Sequence, residues 1–370
     1  MRIEDIEVYR ISMPMKGRWQ AAFGLIDSID SVMVRIRAEG VEGWGEAAPY
    51  AAPNYCEEFT GGAFLVIRDW LGPALLGQDI RSGGELQARL APFKGNRFAK
   101  AALDLAWWDA AAKAAGAPLW RLIGGTSPEI AVGEDLPVQE TVDQQIEVVR
   151  RAAEAGFPRI KLKVRPGWMA EMLGPLRAAL PDPVIHVDCN SGFTLADADT
   201  ILALDGYGLA MIEQPLTNDD LIDHAALARR LRTPICLDES ITSVDRARKA
   251  IGIGACGYVN LKTGRLGGLT NAIAVHDVCA EAGIPCWVGS MLESAVGQGP
   301  SIALATLGNI GYPGDIFPSA RFYEADLGRP EIALSAPGRV TAPDRPGHGF
   351  APDPDRLAAC TLEHARIARP

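Results

Sequence analysis

The first 60 residues alternate between apolar and polar side chains, as in the runs I-E-D-I-E-V-Y-R-I and S-V-M-V-R-I-R. Side chains two apart in a strand share one face, so this alternation predicts strands with one buried face. Gly40 follows the second run, where a hairpin turn is expected. The pattern therefore predicts a small antiparallel sheet at the start of the chain.

A helical pattern follows, from about residue 58 to residue 125. Residues 99–116 read A-K-A-A-L-D-L-A-W-W-D-A-A-A-K-A-A-G, a run of good helix formers. The run stops at Gly116, with Pro118 just beyond, which is a typical end signal. We expect Trp107 and Trp108 on this helix to be packing residues.

Beyond residue 128 the pattern changes to short apolar runs that alternate with amphipathic helices. This alternation predicts βα units and a parallel barrel. The predicted strands are 130–136, 159–164, 184–188, 209–213, 235–238, 257–262 and 285–290. After about residue 320 the chain is rich in Pro and Gly and loses the period, so we expect it to fold back on the first domain.

The length of 370 residues fits one barrel and one smaller domain. We predict a capping domain over residues 1–125 and a barrel over 126–320. Residues 321–370 are expected to complete the cap. The predicted fold class is α/β. The loops that determine substrate specificity would lie in the first domain.

The composition, with 48% hydrophobic and 22% charged residues, is that of a globular protein with a sizeable core. The net charge of −10 and the pI near 5.1 argue against a nucleic-acid or anionic-membrane surface. Seven scattered cysteines form no CxxC pair and read as reduced core residues. The acidic N-terminus and the absence of a long apolar run predict an unprocessed, cytoplasmic chain that acts on a small molecule.

Polar residues close five successive predicted strands at a nearly constant spacing. Lys163, Asp188, Glu213, Asp238 and Lys262 are separated by 25, 25, 25 and 24 residues. One βα unit of a barrel has about this length, so each residue would lie at the carboxyl end of its own strand. Barrel active sites are built at that rim, and we expect the five side chains to converge there.

Three consecutive strands end on a carboxylate, which is costly to bury unless it is paired or binds a metal. Carboxylate oxygens from adjacent strands match the hard-ligand preference of Mg²⁺, with Mn²⁺ as a substitute. We therefore predict that Asp188, Glu213 and Asp238 are metal ligands.

Lys163 and Lys262 would bracket a metal-bound carboxylate substrate from opposite sides of the barrel. One lysine would remove the α-proton and the other would deliver a proton to the opposite face. The adjacent Lys161, together with the metal, would lower the pKa of Lys163 and so suit it to act as a base.

These residues resemble the motifs of the enolase superfamily, and within it the muconate lactonizing enzyme subgroup. The closest likeness is to the o-succinylbenzoate synthase and N-succinylamino acid racemase family. The motifs that carry it are K-L-K (161–163), D-C-N (188–190), E-Q-P (213–215), D-E-S (238–240), K-T-G-R-L-G-G (262–268) and G-S-M-L-E-S (289–294). The resemblance implies a (β/α)7β modified TIM barrel with an α+β cap, Mg²⁺, and a symmetric homo-oligomer.

The resemblance also assigns roles to further residues. Lys161 would steady the substrate carboxylate, and Asn190 and Glu239 would lie near the metal. Arg265 would influence Lys262, as it does in relatives that racemise. Glu293, in the last motif, is placed with the substrate-binding or tuning groups.

Two loops of the first domain would cap the barrel, M-K-G-R-W-Q-A-A-F-G (15–24) and A-P-Y-A-A-P-N-Y (48–55). Trp19, Phe23 and Tyr55 are candidates for substrate contact, with buried packing as the alternative.

The chain departs from the family at the first barrel strand, where a small hydroxyl residue and then Gly are usual. Glu134, Asp135 and Pro137 stand there. An acid such as Asp135 would repel a succinyl carboxylate but could receive an ammonium or hydroxyl group. The cap loop also has Gln20-Ala21-Ala22 where relatives often carry an Arg-Thr-Ser-like stretch, so both departures bear on the substrate.

The predicted function is Mg²⁺-dependent removal of the proton α to a carboxylate, as an o-succinylbenzoate synthase or an N-acylamino acid racemase. A muconate-type cycloisomerase and a dipeptide epimerase share this chemistry. A lysine Schiff-base barrel of the aldolase kind and a non-catalytic binding protein are alternatives of other classes. His186, two residues before Asp188, is expected to be a hydrogen-bonded core residue.

Overall fold

The computed structural model describes residues 1–21, 24–164 and 167–368, without the side chains of residues 20, 21 and 170. Across these ranges, none of the helices combines the length and the apolar character that a membrane span needs.

Fifteen strands are found in the described chain. They are β1 Ile3–Ala21, β2 Gly24–Ala38, β3 Val41–Ala47, β4 Glu129–Ala131, β5 Glu134–Leu136, β6 Ile160–Lys163, β7 Ile185–Asp188, β8 Ile212–Glu213, β9 Ile235–Leu237, β10 Tyr258–Leu261, β11 Cys286–Val288, β12 Gly328–Arg329, β13 Arg339–Thr341, β14 Ala351–Pro352 and β15 Thr361–Arg366.

Fourteen α-helices connect or cover these strands in the described chain. They are α1 Thr60–Val66, α2 Gly72–Leu75, α3 Gly83–Leu90, α4 Arg97–Ala114, α5 Leu119–Leu122, α6 Val142–Glu154, α7 Trp168–Ala179, α8 Ala198–Leu202, α9 Ile222–Ala228, α10 Val244–Gly252, α11 Thr263–Leu266, α12 Leu269–Glu281, α13 Ala295–Leu304 and α14 Pro354–Cys360. A π-helical turn (Ile67–Leu71) joins α1 to α2, and 3₁₀ turns lie at Leu195–Asp197, Ala203–Tyr207 and Ser319–Arg321.

The cap contains a four-stranded antiparallel sheet in the order β15-β1-β2-β3. The predicted turn between β2 and β3 contains Gly40, whose φ of +82° lies in the region that glycine adopts without strain. The last strand, β15, pairs with β1, with Glu7 opposite Arg366. The end of the chain therefore returns to the first domain, as the sequence predicted.

The helix α4 packs against this sheet and corresponds to the predicted run 99–116. It ends two residues before Gly116, which has a φ of +62°. Trp107 on α4 is buried, as expected for a packing residue. The backbone of β3 approaches α4 so closely that a Cβ at Gly45 would stand 2.3 Å from the carbonyl oxygen of Ala102.

The barrel consists of seven parallel strands in the order β5-β6-β7-β8-β9-β10-β11. Residues 310–314 add the eighth position, because Ile310 bridges Cys286 on one edge and Gly314 bridges Val132 beside the other. Helices separate successive strands, which gives the (β/α)7β arrangement. The predicted fold class, a modified barrel with an α+β cap, is confirmed.

The predicted strand 130–136 is wrong as a single element. Its first part, β4, pairs antiparallel with β13, whereas its second part, β5, joins β6 in the barrel. The break lies at Gly133, where a Cβ would stand 2.2 Å from the Nε atom of Arg159. The buried Arg159 side chain therefore occupies the space that a continuous strand with side chains would need, and periodicity alone does not reveal it.

Candidate active site

The five periodic residues lie at the same end of the barrel strands. Lys163, Asp188 and Glu213 are the last residues of β6, β7 and β8, while Asp238 and Lys262 directly follow β9 and β10. Adjacent strands set them side by side, since Lys163 pairs in register with Asp188 and Asp188 with Glu213. All five are at most 8% exposed. The constant spacing thus corresponds to one buried rim.

Lysine cations and carboxylates contact each other across this rim. The Nζ atom of Lys163 donates to Asp188 Oδ2 at 2.7 Å, and that of Lys262 lies 2.8 Å from Asp238 Oδ2. The Nζ atom of Lys161 lies 3.7 Å from Asp188 Oδ2 and 3.9 Å from Glu213 Oε2. Each carboxylate therefore faces at least one ammonium group.

The pKa values of the three carboxylates are shifted in different directions by these neighbours. Burial raises the pKa of each, but Lys163 and Lys161 outweigh it at Asp188, where the pKa is lowered. Arg265 and Lys262 have the same effect at Asp238. The pKa of Glu213 is raised well above its usual value by burial and by the charge of Asp188. Burial thus prevails at Glu213, whereas neighbouring cations prevail at Asp188 and Asp238.

The expected lowering of the Lys163 pKa does not arise from the protein residues. Burial and the neighbouring Lys161 do lower it, but Asp135 and Asp188 outweigh them and the pKa is raised. The pKa of Lys262 is raised as well, because Asp238 overcomes burial. Lys161 thus acts on the Lys163 pKa in the predicted direction, while the surrounding carboxylates oppose it, and the share assigned to a bound metal stays a prediction.

The carboxylates match a hard divalent cation in donor chemistry, although they are not arranged as a ready metal site. Within the described ranges, no three His, Cys, Asp or Glu side chains are grouped closely enough to hold a metal ion. The buried Glu213 Oε2 atom, however, accepts no hydrogen bond from any described residue. Three adjacent buried carboxylates with an unsatisfied oxygen are a fitting donor set for Mg²⁺, provided that the lysine contacts open.

Asn190, Glu239 and Arg265 surround the same group. The backbone N–H of Asn190 donates to Asp188 Oδ1 at 3.0 Å, and its side-chain amide donates to Glu239 Oε1 at 3.2 Å. Burial, with the charge of Asp238, raises the pKa of Glu239 to about 8. The guanidinium of Arg265 donates to Asp238 and to the carbonyl oxygen of Asn260. These residues hold the carboxylates in place.

The cap covers the rim through aromatic residues. The hydroxyl of Tyr55 lies 3.2 Å from Lys262 Nζ and 3.4 Å from Asp238 Oδ2, and its ring lies 5.0 Å from the same ammonium. Trp19 and Tyr50 line the cavity beside it, together with Asp135 and the three lysines. Phe23, the other candidate in this loop, lies outside the described residues, as does Ala22 of the Gln20-Ala21-Ala22 stretch.

The side chain of Glu293 forms hydrogen bonds within its own loop. Its Oε2 atom accepts hydrogen bonds from the Ser290 hydroxyl at 2.8 Å and from the Met291 backbone at 2.9 Å. Ser290, Met291 and Leu292 line the cavity. Glu293 thus shapes the loop that forms one wall.

One placement was not available from the periodic pattern. Asp315, directly after the eighth barrel position, accepts hydrogen bonds from both Lys161 and Arg159. It closes the run P-G-D (313–315), which lies beyond the last predicted strand and outside the constant spacing of the rim residues. His186 is fully buried and its Nδ1 atom lies 3.1 Å from the Tyr312 hydroxyl, in agreement with a hydrogen-bonded core residue.

Comparison with protein families gives two matches that together span most of the chain. Residues 5–124 match the mandelate racemase / muconate lactonizing enzyme N-terminal domain, and residues 144–356 match the enolase C-terminal domain-like family.

Individual proteins resemble the chain over nearly its whole length. The o-succinylbenzoate synthase of Geobacillus kaustophilus is 42% identical over 354 residues, which cover 95% of this chain and 94% of the relative. The N-succinylamino acid racemase of Thermus thermophilus is 42% identical over 350 residues, 94% of each chain. A crystal structure of an enolase superfamily member from Listeria innocua matches with a TM-score of 0.95 at 34% identity and covers 99% of both chains.

Proposed function

Because this chain belongs to the mandelate racemase and muconate lactonizing enzyme family of the enolase superfamily, we propose that it removes the proton α to a substrate carboxylate. It acts as an o-succinylbenzoate synthase, an N-acylamino acid racemase, or both. An o-succinylbenzoate synthase and an N-succinylamino acid racemase are each 42% identical to it.

One observation carries the proposal: Lys163 and Lys262 line one enclosed cavity from different barrel strands. Lys163 contacts Asp188 and Lys262 contacts Asp238, so a group of buried carboxylates lies between the two ammonium groups. A substrate α-carbon in this cavity would be approached by one lysine from each side. Such a pair supports proton removal by one residue and return by the other.

The metal ligands in this proposal are Asp188, Glu213 and Asp238. These residues would hold Mg²⁺, or Mn²⁺ in its place, and the ion would supply positive charge against the negative charge that the substrate carboxylate gains when the α-proton leaves. In the protein, Arg265 and Asn190 orient two of these carboxylates. Lys161 offers a fixed positive charge to the substrate carboxylate.

The cap residues exclude water from the reaction. Tyr55 contacts both Lys262 and Asp238, and Trp19 is only 6% exposed. Removing water strengthens the electrostatic interactions inside the cavity.

A muconate-type cycloisomerase or a dipeptide epimerase would use the same residues. A Schiff-base enzyme is less well supported, because a lysine that attacks a carbonyl needs no metal ion. It would leave the buried carboxylates of Asp188, Glu213 and Asp238 at the same rim without a role.

The test is deuterium exchange at the α-carbon of N-acylamino acids in D₂O, with added Mg²⁺. We expect the wild-type protein to exchange the α-proton of both enantiomers. Lys163→Ala and Lys262→Ala should each lose exchange of a different enantiomer, the one whose α-proton faces the missing lysine, by at least roughly a hundredfold. Lys249→Ala, which removes an exposed lysine paired with Asp245, is the control and should exchange normally.

If both active-site variants exchange as fast as the wild type, the proposal fails. Trapping of substrate by borohydride without metal would instead support the Schiff-base alternative. Assembly as a homo-oligomer and a cytoplasmic location stay predictions from the sequence.

A further inference from the structure

Asp135 projects into the cavity from the first barrel strand. It pairs in register with Lys161 of the neighbouring strand, and its Oδ2 atom lies 3.2 Å from Lys161 Nζ and 3.8 Å from Lys163 Nζ. The residue is 4% exposed and lines the cavity with Trp19 and Tyr55. It is therefore within reach of any substrate held near the two lysines.

The other oxygen of Asp135 is unsatisfied. Its Oδ1 atom is buried and receives no hydrogen bond from the residues that the structure describes. A buried polar atom without a partner is costly, and such atoms in native proteins call for an explanation. An arriving donor group would remove this cost.

Lys161 does not depend on Asp135 alone for a counter-charge. Asp315 also accepts a hydrogen bond from Lys161, as well as one from Arg159. The contact of Asp135 with Lys161 is made through Oδ2, so a role as an ion-pair partner leaves the Oδ1 atom unsatisfied.

The neighbouring acid provides an internal comparison. Glu134 is also buried, but its side chain accepts a hydrogen bond from Arg321 at 2.6 Å. Successive side chains of a strand point to opposite sides. Only one of the two consecutive acids, Asp135, therefore faces the cavity.

We propose that Asp135 selects a substrate whose second functional group is an N–H donor and disfavours one with a carboxylate there. This inference rests on the racemase branch of the proposed function, in which the first carboxylate of the substrate is placed near the metal ligands. A carboxylate has acceptors but no donor, so Asp135 would repel a second one and leave Oδ1 unsatisfied. An amide or an ammonium group supplies the missing donor.

The experiment uses three derivatives of one amino acid that have nearly the same shape. The N-succinyl compound ends in a carboxylate, the N-succinamoyl compound in a neutral carboxamide, and the N-β-alanyl compound in an ammonium group. Dissociation constants are measured by calorimetry on the full-length protein with Mg²⁺, and α-proton exchange is measured in parallel. The two N–H compounds distinguish a neutral donor from a cation.

We expect the wild type to bind at least one N–H compound roughly tenfold or more tightly than the N-succinyl compound. Asp135→Asn removes the charge and adds a donor, so it should reverse this ratio in favour of N-succinyl. Glu134→Gln is the matched control and should keep the wild-type ratio. Thermal midpoints of both variants show whether they are folded.

The inference is overturned if N-succinyl binds as well as the N–H compounds to the wild type, if Asp135→Asn leaves the ratio unchanged, or if none of the three binds. Exchange of the α-proton in those same samples would leave the proposed function standing. Tight, Asp135-dependent binding of the N–H compounds without α-proton exchange would instead support the inference and count against the proposed function.

Discussion

The Nζ atom of Lys161 donates a hydrogen bond to Asp315, a carboxylate that lies 154 residues further along the chain. Arg159 donates to the other oxygen of the same carboxylate. All three side chains are at most 2% exposed. Asp315 thus fixes the position of the lysine that we assign to the substrate carboxylate.

Asp315→Asn should destabilise the protein strongly. The change leaves two buried cations without their shared counter-charge, and loss of one partner of a buried ion pair costs about 3–5 kcal/mol. The measurement is the free energy of unfolding in urea. Asp344→Asn, which removes a 70% exposed partner of Arg121, should cost less than about 1 kcal/mol. Equal effects of the two changes would contradict this assignment.

Mg²⁺ should raise the thermal midpoint of the wild-type protein. A ligand that binds only the folded state stabilises it by about 2.7 kcal/mol at a concentration of 100 times its Kd. Glu213→Gln removes one of the proposed ligands and should abolish most of the increase. Glu4→Gln, on the exposed side of β1, should preserve it. No Mg²⁺-dependent shift in the wild type, with or without EDTA treatment beforehand, would argue against the metal site.

Stability should fall as the pH rises from about 4.5 to about 7, because of Glu46. Burial raises the pKa of this 1% exposed carboxyl group from 4.5 to about 7, despite hydrogen bonds from Ser294 and Ser31. The folded state therefore holds a proton that the unfolded state releases in this interval, and deprotonation costs on the order of 3 kcal/mol.

The test for Glu46 compares unfolding free energies at several pH values. Glu46→Gln cannot titrate and should show a flatter dependence between pH 4.5 and 7 than the wild type. The Glu4→Gln variant should follow the wild-type curve. If Glu46→Gln has the same slope as the wild type, Glu46 is not the group that titrates.

Gly45→Ala should disrupt the contact between β3 and α4. The new Cβ would stand 2.3 Å from the Ala102 oxygen and 2.4 Å from the Ala106 nitrogen, both of which are backbone atoms. The helix would have to move away from the sheet, at a cost of about 3 kcal/mol or more. Gly17→Ala, with no atom within 4 Å of the added Cβ, should change the unfolding free energy by less than about 0.5 kcal/mol. Chemical denaturation distinguishes the two outcomes.

The periodic pattern was sufficient to predict the barrel and the rim. Each βα unit repeats the same local sequence signals, and the carboxyl ends of parallel strands meet at one end by construction. Lys163, Asp188, Glu213, Asp238 and Lys262 could therefore be grouped from their spacing alone. The antiparallel sheet of the first domain followed in the same way from alternation with a period of two.

The split of the predicted strand 130–136 could not be foreseen from periodicity. Both halves have strand-like sequences, and their separation depends on where β13 and the Arg159 side chain pack. The raised pKa of Lys163 had the same origin. It depends on Asp135, which lies 28 residues away in the sequence but faces the lysine in space.

The order of the elements, the barrel and the five rim residues could be predicted from the sequence, because these follow from local periodicity and a repeated spacing. The acid that faces the cavity and the carboxylate that anchors Lys161 became clear in the folded chain. Those relationships depend on contacts between distant segments, such as Asp315 with Lys161, and on the backbone direction at Asp135. No pattern within one segment of the chain contains that information.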